Sequence, residues 1–197
     1  LRVKLAGTAP IESVAVRDGT ETLQTLHPYE EKDPGKRIKI VWSGAEVRGR
    51  DRIAHWDGGL AVAGNRITGV TPINFWNADQ PLKTVDDQHL EWISATTGGL
   101  TCAIITLENA NEGMIQIDTR QGNLDFNVSE IGLEPRVLDY GGLRKELRAY
   151  RLPDAGGRFE FEFELPLEKL SKGKHAIYIR AEQEDGHLLW TSPIYLI

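Results

Sequence analysis

Three consecutive residues, His55, Trp56 and Asp57, bring an imidazole, an indole and a carboxylate into one short segment. If the segment is a strand, His55 and Asp57 lie on the same side of it, because side chains alternate across a strand. Such a pair fits either a hydrogen-bonded pair at a turn, which we favour, or two ligands of a metal ion. The five histidines nowhere show the spacings of metal-binding motifs. We therefore assign no metal ligand.

A second segment, Asn74-Phe75-Trp76-Asn77, places two aromatic residues between two amides. Aromatic rings offer an apolar face and amides donate and accept hydrogen bonds, and a sugar needs both kinds of contact. Four of the five tryptophans lie within residues 42–92, and such a cluster also fits the core of a sheet, which is the interpretation we favour. The alternative is a ligand-binding site, and its residues would be His55, Trp56, Asp57, Asn74 and Trp76.

Motifs for covalent or phosphate chemistry are absent from the sequence. The single cysteine, Cys102, lies in the apolar segment 100–105 and is expected to be buried and unreactive. There is neither a G-x-S-x-G nucleophile motif nor a glycine-rich phosphate-binding loop. Glu160, Glu162 and Glu164 alternate with phenylalanines, which predicts the solvent-exposed side of a strand. We predict no catalytic residue, although two carboxylates from distant strands could still face each other across a cleft, as in glycosidases.

The composition argues against several classes of partner. The 197 residues include 29 acidic and 23 basic side chains, which gives a net charge of −6. Nucleic-acid-binding proteins usually carry a basic stripe, and no segment here concentrates basic residues, so we predict no nucleic-acid partner. No run approaches the ~18 apolar residues of a membrane span, and no pattern indicates a cofactor. The sequence leaves the compartment and the oligomeric state open.

The dominant pattern along the chain is the alternation of apolar with polar or small residues, which is typical of strands with one buried side. Glycine-rich turns separate these segments, and the long crossover helices that a parallel sheet needs are missing. Residues 143–150 fit a helix or a strand, and we favour a strand. Residues 167–170, after Pro166, predict one helical turn. The sequence therefore predicts an all-β fold of antiparallel sheets arranged as a sandwich.

A series of short segments spread over nearly the whole chain carries a family resemblance. They are residues 7–14 with 17–19, 55–58 leading to 64–67, 74–77, 96–99, 141–143 with 150–153, and 184–187 with 190–195. Together and in this order they resemble the C-terminal region of a bacterial family of unknown function. The N-terminal part of that family is similar to metal-dependent phosphoesterases of the polymerase-and-histidinol-phosphatase (PHP) type.

The resemblance implies an accessory region without catalysis of its own. The catalytic histidines and acids of the family lie upstream of its β-rich region, and none of its metal motifs has a position in this sequence. The chain opens at Leu1 on a strand pattern and without methionine, which we interpret as a piece of a longer protein. We therefore expect it to pack on an upstream hydrolase-like domain of the same polypeptide and to hold no cofactor itself.

The two chain ends resemble strands of an immunoglobulin-like sandwich. We expect residues 1–36 and 166–197 to form this sandwich, with residues 37–165 as an inserted β-sandwich or barrel-like unit.

Three functions from different classes follow as hypotheses. The first is a non-catalytic accessory domain of a larger metal-dependent hydrolase-like protein. The second is a carbohydrate-binding β-sandwich module, motivated by the tryptophans around residues 74–77. The third is a stand-alone glycosidase-like enzyme, which requires a pair of carboxylates facing a cleft.

Overall fold

The computed structural model describes residues 1–29, 35–154, 157–166 and 173–196, and every strand pair within these ranges is antiparallel. The helical content of the described ranges is one short 3-10 turn, Val128–Glu130. The predicted all-β antiparallel fold is thereby confirmed. In the same ranges no helix is long and apolar enough to cross a membrane.

The strands are numbered in chain order. They are β1 (Arg2–Ala6), β2 (Ile11–Asp18), β3 (Glu21–Leu26), β4 (Arg37–Ala45), β5 (Ala54–His55), β6 (Gly58–Ala63), β7 (Ile67–Ile73), β8 (Lys83–Thr84), β9 (His89–Trp92), β10 (Ala95–Thr96), β11 (Leu100–Leu107), β12 (Met114–Thr119), β13 (Gly122–Asn127), β14 (Arg136–Asp139), β15 (Leu143–Leu152), β16 (Glu160–Glu164), β17 (His175–Gln183), β18 (Leu188–Trp190) and β19 (Ile194–Leu196). Residues 143–150 are part of a strand, as predicted. The helical turn predicted at 167–170 lies outside the described residues.

The contacts divide the chain into two compact units. Unit 1 is Leu1–Glu30 with Ala155–Ile197, and unit 2 is Glu31–Asp154. Strand β16 belongs to unit 1 because it pairs along its whole length with β1. The sequence-based division at 36/37 and 165/166, and the immunoglobulin-like pattern of the chain ends, stay predictions.

Unit 1 is built from a two-stranded sheet, β1-β16, and a larger sheet in the order β18-β17-β2-β3, with β19 also paired to β17. Alternate residues of β2 and β17 point inward, among them Val14, Val16, Ile177 and Ile179, and they form one core with residues of β1. On β16 the glutamates are exposed and the phenylalanines half-buried. The predicted solvent side of this strand is therefore confirmed.

Unit 2 contains two five-stranded sheets, in the orders β14-β15-β4-β11-β7 and β13-β12-β6-β9-β8, and the short pair β5-β10. Inward-facing residues of both sheets form a single core. In that core the rings of Trp42 and Trp92 stack with centroids 4.8 Å apart, and each indole N–H donates a hydrogen bond, to Ser94 Oγ and to the Trp56 carbonyl respectively. The core interpretation of the tryptophan cluster is confirmed for Trp42, Trp56 and Trp92.

The central strands β4, β11 and β15 are buried on both sides, so a second, smaller cluster forms on their other side. Cys102 belongs to it and is fully buried, as expected. At the end of β15 the side chain of Arg151 is also buried. Its guanidinium donates hydrogen bonds to the carbonyls of Ile131 and Gly35, each at 2.7 Å, and to that of Val128.

Candidate functional site

The outward side of the sheet β13-β12-β6-β9-β8 carries a trough along its central strand. The residues of β6 that point outward, Gly59, Ala61 and Ala63, have small side chains or none, while Leu60 and Val62 point into the core. A Cβ added at Gly58 would lie 2.1 Å from the Asp118 carbonyl oxygen, so β6 and β12 approach too closely for any side chain there. Because no large side chain projects outward from β6, this strand forms the floor of the trough.

Longer polar side chains on the two neighbouring strands form the walls. On β12, Gln116 pairs with Ala61 and Asp118 pairs with Gly59. On β9, His89 and Glu91 occupy the corresponding positions on the other side. Alternation along both strands directs these four residues away from the core. The edge strands add Asn123 and Asp125 on one side and Lys83 on the other.

The trough has a volume of about 900 Å³ and continues into a hollow of about 470 Å³. Asp57, Gln80, Ile93 and Arg120 line both, which makes the two spaces one cleft of unit 2. The hollow is lined further by residues 75–77, residues 93–95 and His55. We call the whole space the β6 cleft.

Trp76 lines the hollow together with Phe75 and Ile93, and it is the most exposed of the three, at 84%. The backbone at Asn74 holds it there, since Asn74 has a φ of 62°, in the left-handed region that asparagine tolerates better than most residues. The Asn74 side-chain amide donates a hydrogen bond to the Leu100 carbonyl at 3.0 Å. The next residue, Phe75, packs edge-on against Trp42 of the core at 5.8 Å. Trp76 then has to point away from the core.

The loop after Trp76 is fixed by a tight turn. The Asn77 side-chain oxygen accepts the backbone N–H of Asp79 at 3.0 Å, and the Asn77 carbonyl accepts that of Gln80 at 3.0 Å. The Asn77 amide also donates to the Gln80 side chain at 3.1 Å. Trp76 therefore stands between two hydrogen-bonded anchors, which limits the entropy lost when a ligand packs against it.

Asp57 lies at the junction of trough and hollow. One of its carboxylate oxygens accepts the Ser94 backbone N–H at 3.1 Å, and the other lies 3.9 Å from Arg120 Nη1. The Asp57 carbonyl also accepts the Arg120 backbone N–H at 2.8 Å. The sequence favoured a hydrogen bond between the side chains of His55 and Asp57. In the structure the Asp57 carboxylate contacts Ser94 and Arg120 instead. The His55 side chain is exposed at the hollow, and its carbonyl accepts a hydrogen bond from Gln121 at 2.9 Å.

Of the five ligand-binding candidates, the structure brings His55, Asp57 and Trp76 together on the cleft. Trp56 requires a correction, because it is 0% exposed and packs in the core. Side chains alternate along β5 and the residues after it, so the indole between two cleft residues must point inward. Asn74 does not line the cleft; its backbone turn and its hydrogen bond to Leu100 orient Trp76.

The cleft is rich in carboxylates. Its lining includes five, from Asp57, Asp79, Glu91, Asp118 and Asp125, against the cations Lys83 and Arg120. Four of the five are exposed and Asp57 is half-buried. Carboxylates on an open sheet surface accept hydrogen bonds, so these groups can bind donor groups of a ligand.

His89 of the trough wall is oriented by a neighbouring carboxylate. Its Nδ1 lies 2.8 Å from Asp86 Oδ1, and the Gln88 backbone N–H binds the same oxygen at 2.8 Å. The Gln88 N–H, followed by the His89 ring, holds the pKa of Asp86 below its usual value. Asp86 therefore stays ionised and fixes the imidazole at the cleft.

Sequence reasoning missed the trough itself, including Gln116, Asp118, His89 and Glu91. One signal was present: the outward positions of the segment 58–63 are all glycine or alanine, whereas exposed strand positions usually carry polar side chains. Among the described residues no group of three or more His, Cys, Asp or Glu side chains could hold a metal ion. The chain matches no protein-family model, no curated protein sequence and no solved structure.

Proposed function

We propose that unit 2 is a non-catalytic carbohydrate-binding module and that the β6 cleft is its binding site. The observation that carries the proposal is Trp76, an indole 84% exposed at the end of a polar cleft. Ile93, which is 55% exposed, lines the same hollow, and apolar residues that are exposed together and bordered by polar groups mark a ligand-binding groove, whereas single exposed apolar residues need no explanation.

The chemistry of the surrounding side chains fits a sugar. The apolar face of a sugar ring can stack on an indole, whose N–H remains able to donate a hydrogen bond. The hollow also presents the carboxylate of Asp57, the amides of Asn77 and Gln80 and the guanidinium of Arg120. Such groups offer both donors and acceptors, as neighbouring hydroxyls of a sugar require.

Replacing Trp76 by alanine tests the proposal. The purified chain would be mixed with insoluble cellulose, chitin, xylan and mannan, and the protein left in solution would be measured. We expect the wild-type chain to be depleted by at least one of them, and Trp76→Ala to weaken that binding by about tenfold or more, because the stacking surface is lost. Thermal unfolding should be unchanged, since Trp76 is 84% exposed and belongs to none of the core clusters.

Phe159→Ala is the matched control, because it removes an aromatic ring that is 50% exposed in unit 1. This variant should bind like the wild-type chain. The proposal is abandoned if none of the four polysaccharides depletes the wild-type chain, or if Trp76→Ala binds as tightly as wild type.

A second candidate function concerns unit 1, for which we propose docking to a hydrolase-like catalytic domain, as the resemblance to PHP-associated proteins implies. The observation that favours it is the exposed apolar surface of β18 and β19, on which Trp190 is 57% and Tyr195 is 72% exposed. Leu188 is exposed as well, and the register with β17 places Leu188, Trp190 and Tyr195 on the side of the sheet away from the core. Apolar side chains grouped on one surface in this way typically form protein contacts.

The docking proposal is tested by adding, in trans, the PHP-type catalytic domain of a protein from the resembling family. Hydrogen exchange of residues 188–196 should slow in the mixture, while that of the exposed strand β3 should not change. A Trp190→Ser variant is expected to lose this protection. Equal exchange with and without the added domain would rule this partner out.

A further inference from the structure

We infer that the β6 cleft binds the interior of a linear, non-acidic polysaccharide, laid along β6 from Trp76 to Ala61. The inference rests on the proposed function and specifies its ligand. It concerns the length of the bound segment, its direction and its charge.

The shape of the cleft indicates that the ligand runs along β6. Strands β12 and β9 both pair with β6, so the two walls stand about 10 Å apart, twice the ~4.8 Å spacing of paired strands. The floor from Asp57 to Ala61 is about 13 Å long at ~3.3 Å per residue. Because the side chains of β12 and β9 bound the trough on both sides, a ligand longer than this floor can extend only along β6.

The hollow lengthens the cleft at one end. Asp57, Gln80, Ile93 and Arg120 line both spaces, so the two spaces adjoin and a ligand that stacks on Trp76 can continue along these residues into the trough. With volumes of about 900 and about 470 Å³, the two spaces together exceed the ~300–1,000 Å³ of a pocket for one small molecule. Several consecutive sugar units are needed to fill them.

Both ends of the cleft are open along this direction. Beyond Ala61 the next outward residue of β6 is Ala63, which is also small and is exposed. At the other end Trp76 stands in solvent. Because neither end closes on the ligand, the cleft does not require the end of a chain.

The charges decide against acidic polymers. Five carboxylates line the cleft against two cations, and Arg120 lies beside Asp57 while Lys83 pairs across the strands with Glu91. Asp118 and Asp125 stand on the opposite wall. A polymer of uronic acids would bring like charges next to these carboxylates, which is unfavourable.

The test compares wild-type chain, Trp76→Ala, Ala61→Phe and Ala6→Phe by calorimetric titration with cello-, xylo-, manno- and chito-oligosaccharides. Each sugar is used as disaccharide and as hexasaccharide, and alginate serves as the acidic polymer. Ala61→Phe fills the floor at the end far from Trp76. Ala6→Phe makes the same substitution at an exposed strand position of unit 1, outside the cleft.

We expect at least one hexasaccharide to bind wild type about tenfold more tightly than its disaccharide. Ala61→Phe should remove that gain and leave disaccharide binding unchanged, whereas Ala6→Phe should behave like wild type. Alginate should not bind. If Ala61→Phe unfolds at lower temperature than Ala6→Phe, Ala61→Gln repeats the measurement.

The inference is overturned, with the proposed function intact, if binding depends on Trp76 but hexasaccharide and disaccharide bind equally. The same holds if Ala61→Phe binds the hexasaccharide like wild type, or if alginate binds as well as the neutral sugars. If no sugar binds wild type, or binding does not depend on Trp76, both the inference and the proposed function are rejected.

Discussion

Replacing Arg151 by leucine is expected to destabilise unit 2 by about 3–5 kcal/mol, because three hydrogen bonds from a charged group, each contributing about 1.5–3 kcal/mol, are lost and a buried apolar side chain offsets part of that loss. The side chain is 1% exposed and donates hydrogen bonds to the carbonyls of Gly35, Val128 and Ile131. Burial lowers the pKa of the guanidinium and Asp154 opposes that effect, but an arginine stays protonated in a protein. Leucine cannot donate to any of the three carbonyls, and the loss of a hydrogen bond to a buried group is costly.

The measurement is urea unfolding followed by tryptophan fluorescence, which reports on unit 2 through Trp42, Trp56 and Trp92. Arg136→Leu is the control, because Arg136 is exposed and its ion pair with Glu130 at 3.1 Å is a surface contact of small value. An Arg151→Leu midpoint equal to that of the control would show that the three hydrogen bonds contribute little to stability.

Replacing Trp56 by alanine is expected to cost about 3–5 kcal/mol of stability, as for other buried tryptophans, while the folded protein keeps its sugar affinity. Trp56 is 0% exposed and donates its N–H to Thr96 Oγ1 at 3.0 Å, and Thr96 in turn donates to the Gly44 carbonyl at 2.7 Å. Alanine leaves a cavity and an unused acceptor, but it removes nothing that a ligand in the β6 cleft can touch.

Trp56 therefore contributes to stability and not to sugar affinity, whereas Trp76 contributes to sugar affinity and not to stability. Trp56→Phe keeps most of the buried volume and serves as the milder variant for the binding measurement. Its affinity should equal that of wild type, whereas Trp76→Ala should lose affinity without loss of stability. A loss of affinity in folded Trp56→Phe would instead place the indole in contact with the ligand.

The features that follow from alternation could be predicted from the sequence. Segments such as 3–5 and 115–117 alternate strictly, and their apolar residues are the buried ones. Residues 143–150 form a strand because one side of it, including Leu147 and Ala149, packs in the core of unit 2. The burial of Cys102 follows from its apolar neighbours in the same way.

The site could be predicted only in part. Composition indicated aromatic residues near 74–77, but which of the tryptophans is exposed depends on the turn at Asn74 and on the packing of Phe75 against Trp42. The trough depends on β9 and β12 pairing on either side of β6, which joins residues that are distant in the chain. Alternation gives the side of a strand to which a residue points, but not which strand lies next to it.

The pairing at the two ends of unit 2 has a consequence for the order of folding. Strand β1 meets β16 in a register that joins Arg2 to Glu164, so this pair must close a very long loop. Within unit 2, Arg37 pairs with Leu152, and the Lys36 N–H donates to Asp154 at 3.0 Å. Once unit 2 has folded, residues 37 and 152 are held next to each other. The loop that must close when β1 pairs with β16 then no longer includes the residues of unit 2. Each halving of a loop saves about 0.6 kcal/mol of closure entropy, so early folding of unit 2 helps β1 to find β16.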